Sequence, residues 1–281
     1  MPTTHVTFRL LMTCQSVVGI KIHSLFLHSC AGIAPELKTP HTFNAYRSPH
    51  FMENKLLSKL REYGYAVGQN DTENCFAGQN RIPCPPIVIQ SFEFPTIEYL
   101  SNLTKIDLVM LVWDDPQFLT RKGIQKIAKV AQYYSIWKES VFTGAESFLR
   151  HANKRQVDGS EGQTTEEDGG FIPPHEFAQF VHKEGLKLVI YTVYDSREPS
   201  YLLGTERNNV TVESKKAEMQ KYFDVGVDGI FVENVAESRA ILREAVSNLR
   251  FNSLRQSSLA SSLQFSLWHM ISITFCLFVI Y

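Results

Sequence analysis

The sequence predicts an α/β protein with a parallel sheet, because short apolar runs of strand length alternate with amphipathic helical segments. Such alternation builds either a doubly wound open sheet or a (β/α)8 barrel of the TIM type. A complete barrel has eight strands and about 250 residues. This chain of 281 residues shows five clear strands and a sixth candidate, which fits an open sheet or a barrel without its opening units. The predicted strands cover residues 32–37, 87–92, 107–113, 186–193 and 229–232, and the sixth candidate lies at 135–141.

Helical segments fill the gaps between these strands and carry recognisable start and stop signals. Pro95 opens one segment and the Pro173–Pro174 pair opens another, because proline is tolerated in the first helical turn. Gly64 and Gly185 end two amphipathic segments. Residues 150–170 have almost no apolar side chain, so we expect a solvated, disordered surface insertion there. The predicted helices cover residues 52–63, 95–102, 123–132, 174–184, 213–223 and 236–249.

The composition is that of a globular protein with one core, since 44% of the residues are hydrophobic and 20% are charged. The net charge is −1, so no basic field points to a nucleic-acid partner. None of the five cysteines forms a CxxC pair, which argues against a zinc site. Cys75 and Cys84 flank a polar loop and are either free thiols or a short disulfide. N-x-S/T sequons at Asn70, Asn102 and Asn209 favour a glycoprotein of the secretory pathway.

The two ends of the chain give different indications about its location. Residues 1–31 stay unassigned, because they lack the basic, apolar and small-residue order of a signal peptide. Residues 265–281 contain no Asp, Glu, Lys or Arg, and they follow a serine-rich spacer. We expect the segment 251–281 to attach the protein to a membrane, as a transmembrane tail or as the signal for a GPI anchor. The protein is then expected at the cell surface or in the secretory pathway.

The tetrapeptide Pro35-Glu36-Leu37-Lys38 carries the residues best suited to chemistry. On a strand, residues i and i+2 share a face, so Glu36 and Lys38 point the same way and Leu37 points to the other side. At the carboxyl end of a barrel strand, the pair would reach the active-site mouth. A carboxylate there can bind a hard divalent cation, and an ammonium can meet a phosphate oxygen. From these residues alone, a salt-bridged surface loop is the alternative.

Four segments extend this interpretation: GIAPELKTP from residue 32, PPIVIQSFEFPTIEYLSNLT from residue 85, LKLVIYTV from residue 186 and GVDGIFVEN from residue 226. This ordered set resembles the glycerophosphodiester phosphodiesterase family over residues 32–249. The resemblance implies a TIM-type barrel and a metal-dependent phosphoric diester hydrolase of lipid and glycerol metabolism, with Mg²⁺ or Ca²⁺ as its cofactor. The substrates would be small glycerophosphodiesters, cleaved to glycerol 3-phosphate and an alcohol. Other barrel lipid phosphodiesterases, such as phospholipase D-type toxins, share this metal chemistry.

The resemblance also assigns individual residues. Glu36 resembles the third metal ligand of the family, and Lys38 resembles its phosphate-facing catalytic lysine. Gln90 resembles the polar substrate-binding residue on the next strand. Tyr191 stands where the family has a tryptophan, and it either packs against the glycerol moiety or is a plain core aromatic residue. Ser91 lies on the opposite face from Gln90, so we expect it to face the helices as a structural hydroxyl.

The motifs that open this family are missing from the chain. Members begin with a His-Arg dipeptide and a Glu-x-Asp pair, yet none of the nine histidines precedes an arginine, and the only Glu-x-Asp lies in the polar insertion at 166–168. We therefore predict an N-terminally truncated barrel over residues 32–250, with five to six of eight strands and little activity alone. The alternative to an active phosphodiesterase is an inactive truncated isoform or a membrane-attached non-catalytic protein on the same fold. The candidates to replace the missing family histidines, which lie near Glu36 in sequence, are His23, His28 and His41.

Overall fold

The computed structural model describes residues 12–16, 30–68, 70–71, 76–77, 82–83, 86–113, 115–144, 170–193, 211–241 and 274–279. Its strands are β1 (Met12–Ser16), β2 (Cys30–Gly32), β3 (Glu36–Leu37), β4 (Phe76–Ala77), β5 (Ile82–Pro83), β6 (Val88–Ser91), β7 (Asp107–Val112), β8 (Tyr133–Trp137), β9 (Lys187–Val193), β10 (Gly229–Val232) and β11 (Thr274–Val279). Its helices are α1 (Pro40–Tyr46), α2 (Phe51–Glu62), α3 (Phe94–Leu103), α4 (Arg121–Ala128), α5 (Pro174–Lys183) and α6 (Val212–Asp224), with a 3₁₀ turn at Pro116–Leu119. Further helical turns lie at 140–144 and 235–241.

Six parallel strands, β3 and β6 to β10, lie side by side in chain order and form a curled half-barrel with helices between them. This confirms the predicted α/β barrel of the TIM type with about six strands. Beyond β10, the sheet continues through β11, which is parallel to β10, and then through the antiparallel strands β1 and β2. Ile33, which follows β2, forms a bridge with Ile87 beside β6. The segment that holds β2 and β3 therefore borders both β1 and β6.

Side chains alternate between two cores along the parallel strands. Ile89, Met110 and Tyr134 point outward, pack under the helices and are at most 1% exposed. Val109 and Val189 point inward and pack inside the half-barrel. Strands buried on both faces read as nearly continuous apolar runs, so these strands could be predicted from the sequence.

Within its described residues the structure confirms the predicted helices, except that α4 covers Arg121–Ala128 rather than 123–132, and it corrects the sixth strand. Helix α6 begins at a capping box, in which the Ser214 N–H donates to Thr211 Oγ1 at 3.1 Å and the Thr211 N–H donates to Ser214 Oγ at 2.9 Å. The sixth strand is β8 rather than residues 135–141, because the chain turns at 138–139 into the helical turn that follows. Helix α1, which begins at Pro40, was not predicted from the sequence.

Some predictions fall on parts of the chain outside the described residues. These parts include the polar insertion before Gly170, both Cys75 and Cys84, and most of the segment 251–281. Within the described residues, no helix combines the length and the apolar character needed to cross a membrane. Asn102 is exposed. Its glycosylation stays a prediction, as does attachment of the protein to a membrane.

His182, in the last turn of α5, pairs with Asp228 in the turn before β10. Its Nε2 lies 2.8 Å from Asp228 Oδ2, and the same oxygen accepts the Leu188 N–H at 2.7 Å. The hydrogen bond with Asp228 raises the pKa of His182 above its usual value, and the negative charge adds to this effect while partial burial opposes it. Protonation of His182 therefore favours the folded state.

We expect this pair to make stability depend on pH. A raised histidine pKa stabilises the fold fully below the unfolded-state pKa, about 6.5, and the contribution is lost as the pH rises through the folded-state pKa. The free energy of unfolding of the wild type should therefore exceed that of His182→Gln most near pH 5.5, and the difference should shrink as the pH rises above about 6.5. Thermal unfolding of both proteins across this range measures it. A stability difference that stays constant with pH would contradict the expectation.

Candidate functional site

The carboxyl ends of the parallel strands form the mouth of the half-barrel, and β3 places Glu36 and Lys38 there. Glu36 pairs in register with Gln90 of β6. Lys38 Nζ lies 3.6 Å from Glu36 Oε2, which confirms that the two side chains point the same way. The Glu36 side chain is 16% exposed, whereas the Lys38 side chain is 77% exposed. The pair is thus a largely buried carboxylate beside an accessible ammonium.

Burial affects the Glu36 carboxyl of this pair. It raises the pKa of the Glu36 carboxyl, while the charge and the hydrogen bond of Lys38 act in the opposite direction. Desolvation is the larger effect, so the carboxylate is less well solvated than a surface glutamate. An ammonium carries three N–H donors, and the exposed position of Lys38 lets it meet an anionic ligand without breaking other packing.

Gln90 lies inside the half-barrel, 2% exposed, and its Nε2 donates to the Ala34 carbonyl at 3.1 Å. This bond holds β6 against the segment that carries Glu36, and a role toward a substrate stays a prediction. Ser91 is buried on the opposite face, donates to the Leu37 carbonyl at 3.0 Å and accepts the Glu93 N–H at 3.2 Å. The structural role predicted for Ser91 is confirmed.

Four rings, Phe92, Trp113, Trp137 and Tyr191, form an aromatic wall at the carboxyl ends of β6 to β9. The Tyr191 ring is at its centre, with centroids 5.8 Å from Phe92, 6.2 Å from Trp113 and 6.1 Å from Trp137. The two tryptophan rings meet edge to face at 5.6 Å. The Tyr191 hydroxyl donates to the Val112 carbonyl at 2.6 Å. Tyr191 is therefore both a fixed core residue and part of the mouth.

No functional role was predicted from the sequence for the other three rings of this wall. Phe92 and Trp113 stand at the ends of the predicted strands 87–92 and 107–113, and Trp137 lies within the sixth candidate strand at 135–141, so the inward alternation of those strands was the available signal. Beside the wall, a cleft of about 260 Å³ is lined by Phe92, Trp113, Asp115 and Phe118, among others. The Asp115 carboxylate caps the 3₁₀ turn by accepting the Gln117 N–H at 3.1 Å, so its contact is structural. The described part of the mouth thus combines an apolar, aromatic lining and the Asp115 carboxylate with the Glu36–Lys38 pair at β3.

The three histidines proposed to replace the missing family histidines differ in what the structure shows of them. His41 is held by Glu93: its N–H donates to Glu93 Oε2 at 3.1 Å, and its ring Nδ1 contacts Glu93 Oε1. Its Nε2 lies 3.1 Å from Thr42 Oγ1. His23 and His28 lie outside the described residues. The structure therefore gives His41 a carboxylate partner other than Glu36.

The resemblance implied a divalent cation beside Glu36. Within the part of the chain that the structure describes, no three His, Cys, Asp or Glu side chains are grouped so that they could hold a metal ion. Glu36 offers a single carboxylate, and the Lys38 ammonium next to it repels a cation. The described residues alone do not fit the cofactor.

Comparison with known protein families gives a match over more than two-thirds of the chain. The model of the Glycerophosphoryl diester phosphodiesterase family matches residues 41–237. This range contains Gln90 and the whole aromatic wall. It begins after Glu36 and Lys38, so their roles rest on the sequence motif and on the geometry of β3. A search of curated proteins found no match.

Proposed function

Because the chain belongs to the glycerophosphoryl diester phosphodiesterase family, we propose that the mouth of its half-barrel recognises glycerophosphodiesters. The proposed reaction is hydrolysis. A water oxygen bonds to phosphorus, the bond from phosphorus to the head-group oxygen breaks, and a proton from that water ends on the departing alcohol. The products are glycerol 3-phosphate and the free alcohol.

The observation that carries this proposal is the Glu36–Lys38 pair at the carboxyl end of β3. A phosphodiester has one negative charge, and an accessible ammonium at a barrel mouth is a suitable partner for it. Glu36 lies close enough to orient the Lys38 ammonium, since their charged atoms are 3.6 Å apart. Lys38 would therefore hold a non-bridging phosphate oxygen, with Glu36 fixing its position.

The aromatic wall supports the same substrate class. Ligand sites combine apolar and aromatic linings with a few placed polar groups. The glycerol carbons of a glycerophosphodiester would pack on the rings around Tyr191 while the phosphate meets Lys38. Because the described residues do not fit a divalent cation, no step is assigned to one, and turnover by this chain alone is expected to be low.

We expect purified protein to release glycerol 3-phosphate slowly from glycerophosphocholine in the presence of Mg²⁺ or Ca²⁺. Release should be lost in Glu36→Ala, because the only carboxylate beside Lys38 is removed from the described site. Glu62→Ala is the matched control, since Glu62 forms an exposed pair with Lys59 at 2.7 Å. Robust turnover that Glu36→Ala abolishes would contradict the low-activity expectation and establish an active enzyme. Equal release by both variants would remove Glu36 from the site.

A non-catalytic glycerophosphodiester-binding protein is the second candidate. It is favoured by the lack of a metal-binding group among the described residues. Binding that depends on Lys38, with no product at any concentration of either cation, would support it.

A further inference from the structure

Helix α1 presents an aromatic face to solvent. Tyr46 is 84% exposed and Phe43 is 40% exposed. The two residues are three positions apart, so their side chains are neighbours on one side of the helix. The other side is fixed to the protein, where Pro40 is buried and Asn44 Oδ1 accepts the Met52 N–H at 3.0 Å. The helix is therefore anchored with its aromatic residues outward.

The position of α1 relates this face to the candidate site. The helix begins two residues after Lys38, and its first turn is tied to Glu93 through His41. Glu93 directly follows Phe92 of the aromatic wall, which is itself 42% exposed. Helix α1 therefore stands at the rim of the half-barrel mouth.

The exposed charges beside α1 are basic, whereas the two carboxylates that contact Lys38 and the first turn of α1 are largely buried: Glu36 is 16% exposed and Glu93 is 22% exposed. Residues 37–52 contain Lys38 and Arg47 but no Asp or Glu. The next acidic residue, Glu53, is 1% exposed and accepts hydrogen bonds from Asn44 and from the Thr96 hydroxyl. The solvent-facing part of this segment is thus aromatic and basic.

We propose that this docking face, made of Lys38, Phe43, Tyr46 and Arg47, binds the surface of an anionic phospholipid bilayer. Amphipathic aromatic rings are favoured at the boundary between head groups and acyl chains. Exposed cations beside them are attracted to anionic lipids. The rings protrude from a short helix, and a fluid lipid surface can close around them, while the exposed side chains of Lys38 and Arg47 favour an anionic surface.

Docking in this way would turn the mouth of the half-barrel toward the membrane. Phosphodiesters carried by lipids would then reach Lys38 without crossing bulk solvent. The inference does not depend on turnover, because association with vesicles is measured without a reaction.

The test is flotation of the full chain with vesicles of phosphatidylcholine that contain about 30% phosphatidylserine or none. The double variant Phe43→Ser/Tyr46→Ser is compared with the control Tyr63→Ser. Tyr63 directly follows α2, at the end of that helix away from α1, and it is 66% exposed. We expect the double variant to bind anionic vesicles about tenfold more weakly than the wild type. The control should bind as the wild type does. Thermal unfolding shows that the variants remain folded.

Hydrogen exchange locates the contact when another part of the chain also binds lipid. Anionic vesicles should slow exchange in residues 40–47 and not in 59–66, and about 0.5 M salt should weaken this protection. Unchanged exchange in 40–47, or equal protection by vesicles without phosphatidylserine, would overturn the proposal. Protection that grows with protein concentration in the absence of vesicles would assign the face to a second copy of the chain.

Discussion

Replacement of Lys138 by methionine is expected to lower the free energy of unfolding by about 3–5 kcal/mol. Lys138 follows β8, and its Nζ lies 3.3 Å from Glu218 Oε1 of α6, with the side chains 5% and 6% exposed. The Tyr222 hydroxyl donates to the same oxygen at 2.9 Å. Burial raises the pKa of Tyr222, and the Glu218 charge adds to this effect. Methionine fills the volume of the lysine stem but leaves a buried carboxylate without the Lys138 charge.

Removal of both charges should cost less than removal of one. The double variant Lys138→Met/Glu218→Leu is expected to recover much of the lost stability, because neither buried charge remains uncompensated. Lys59→Met is the surface control, since Lys59 and Glu62 are 45% and 61% exposed, and it should leave the urea midpoint unchanged. Equilibrium unfolding in urea measures all three. A Lys138→Met midpoint equal to that of the control would show that the buried pair does not hold α6 to β8.

Gly123→Ala is expected to destabilise the fold by about 3 kcal/mol, against the helix propensity of alanine. Gly123 lies in the first turn of α4, where its N–H donates to Thr120 Oγ1 at 3.0 Å. A Cβ at this position would lie 1.8 Å from the Gln117 carbonyl oxygen. The 3₁₀ turn and α4 would have to separate to make room, which would also disturb the lining of the cleft at Phe118.

The control for this substitution is Gly185→Ala. Gly185 has a φ of +82° and no atom within 4 Å of an added Cβ, so it measures the cost of the left-handed conformation alone, about 1 kcal/mol. Thermal unfolding of the two variants separates steric overlap from backbone strain. A Gly123→Ala protein at least as stable as the wild type would show that α4 and the 3₁₀ turn are not packed as described.

The strands were predictable because burial on both faces leaves a local signature in the sequence. Val88 to Ser91 and Asp107 to Val112 read as short apolar runs, and the intervening helices indicated that the sheet is parallel. The end of β8 was not predictable, because Ile136 and Val141 are both buried while only the first belongs to the strand. Helix α1 was not predicted because it has little apolar periodicity. Its aromatic rings face solvent instead of forming a buried face.

The candidate site was predictable only where its residues are close in sequence. Glu36 and Lys38 share a face by the two-residue period of a strand, and their contact follows directly. The aromatic wall depends on the register between four strands, which brings Trp113 and Trp137 to the level of Tyr191. No local rule specifies that register. The pairing of His41 with Glu93 spans 52 residues and needed the structure for the same reason.

Calorimetric titration with glycerol 3-phosphate tests the central claim, that the mouth of the half-barrel is a phosphate-binding site built on Lys38. We predict binding to the wild type, an affinity about tenfold weaker for Lys38→Ala because a charge-assisted contact is lost, and an unchanged affinity for Lys59→Ala. Equal affinities for all three proteins, or no binding to any of them, would contradict the account.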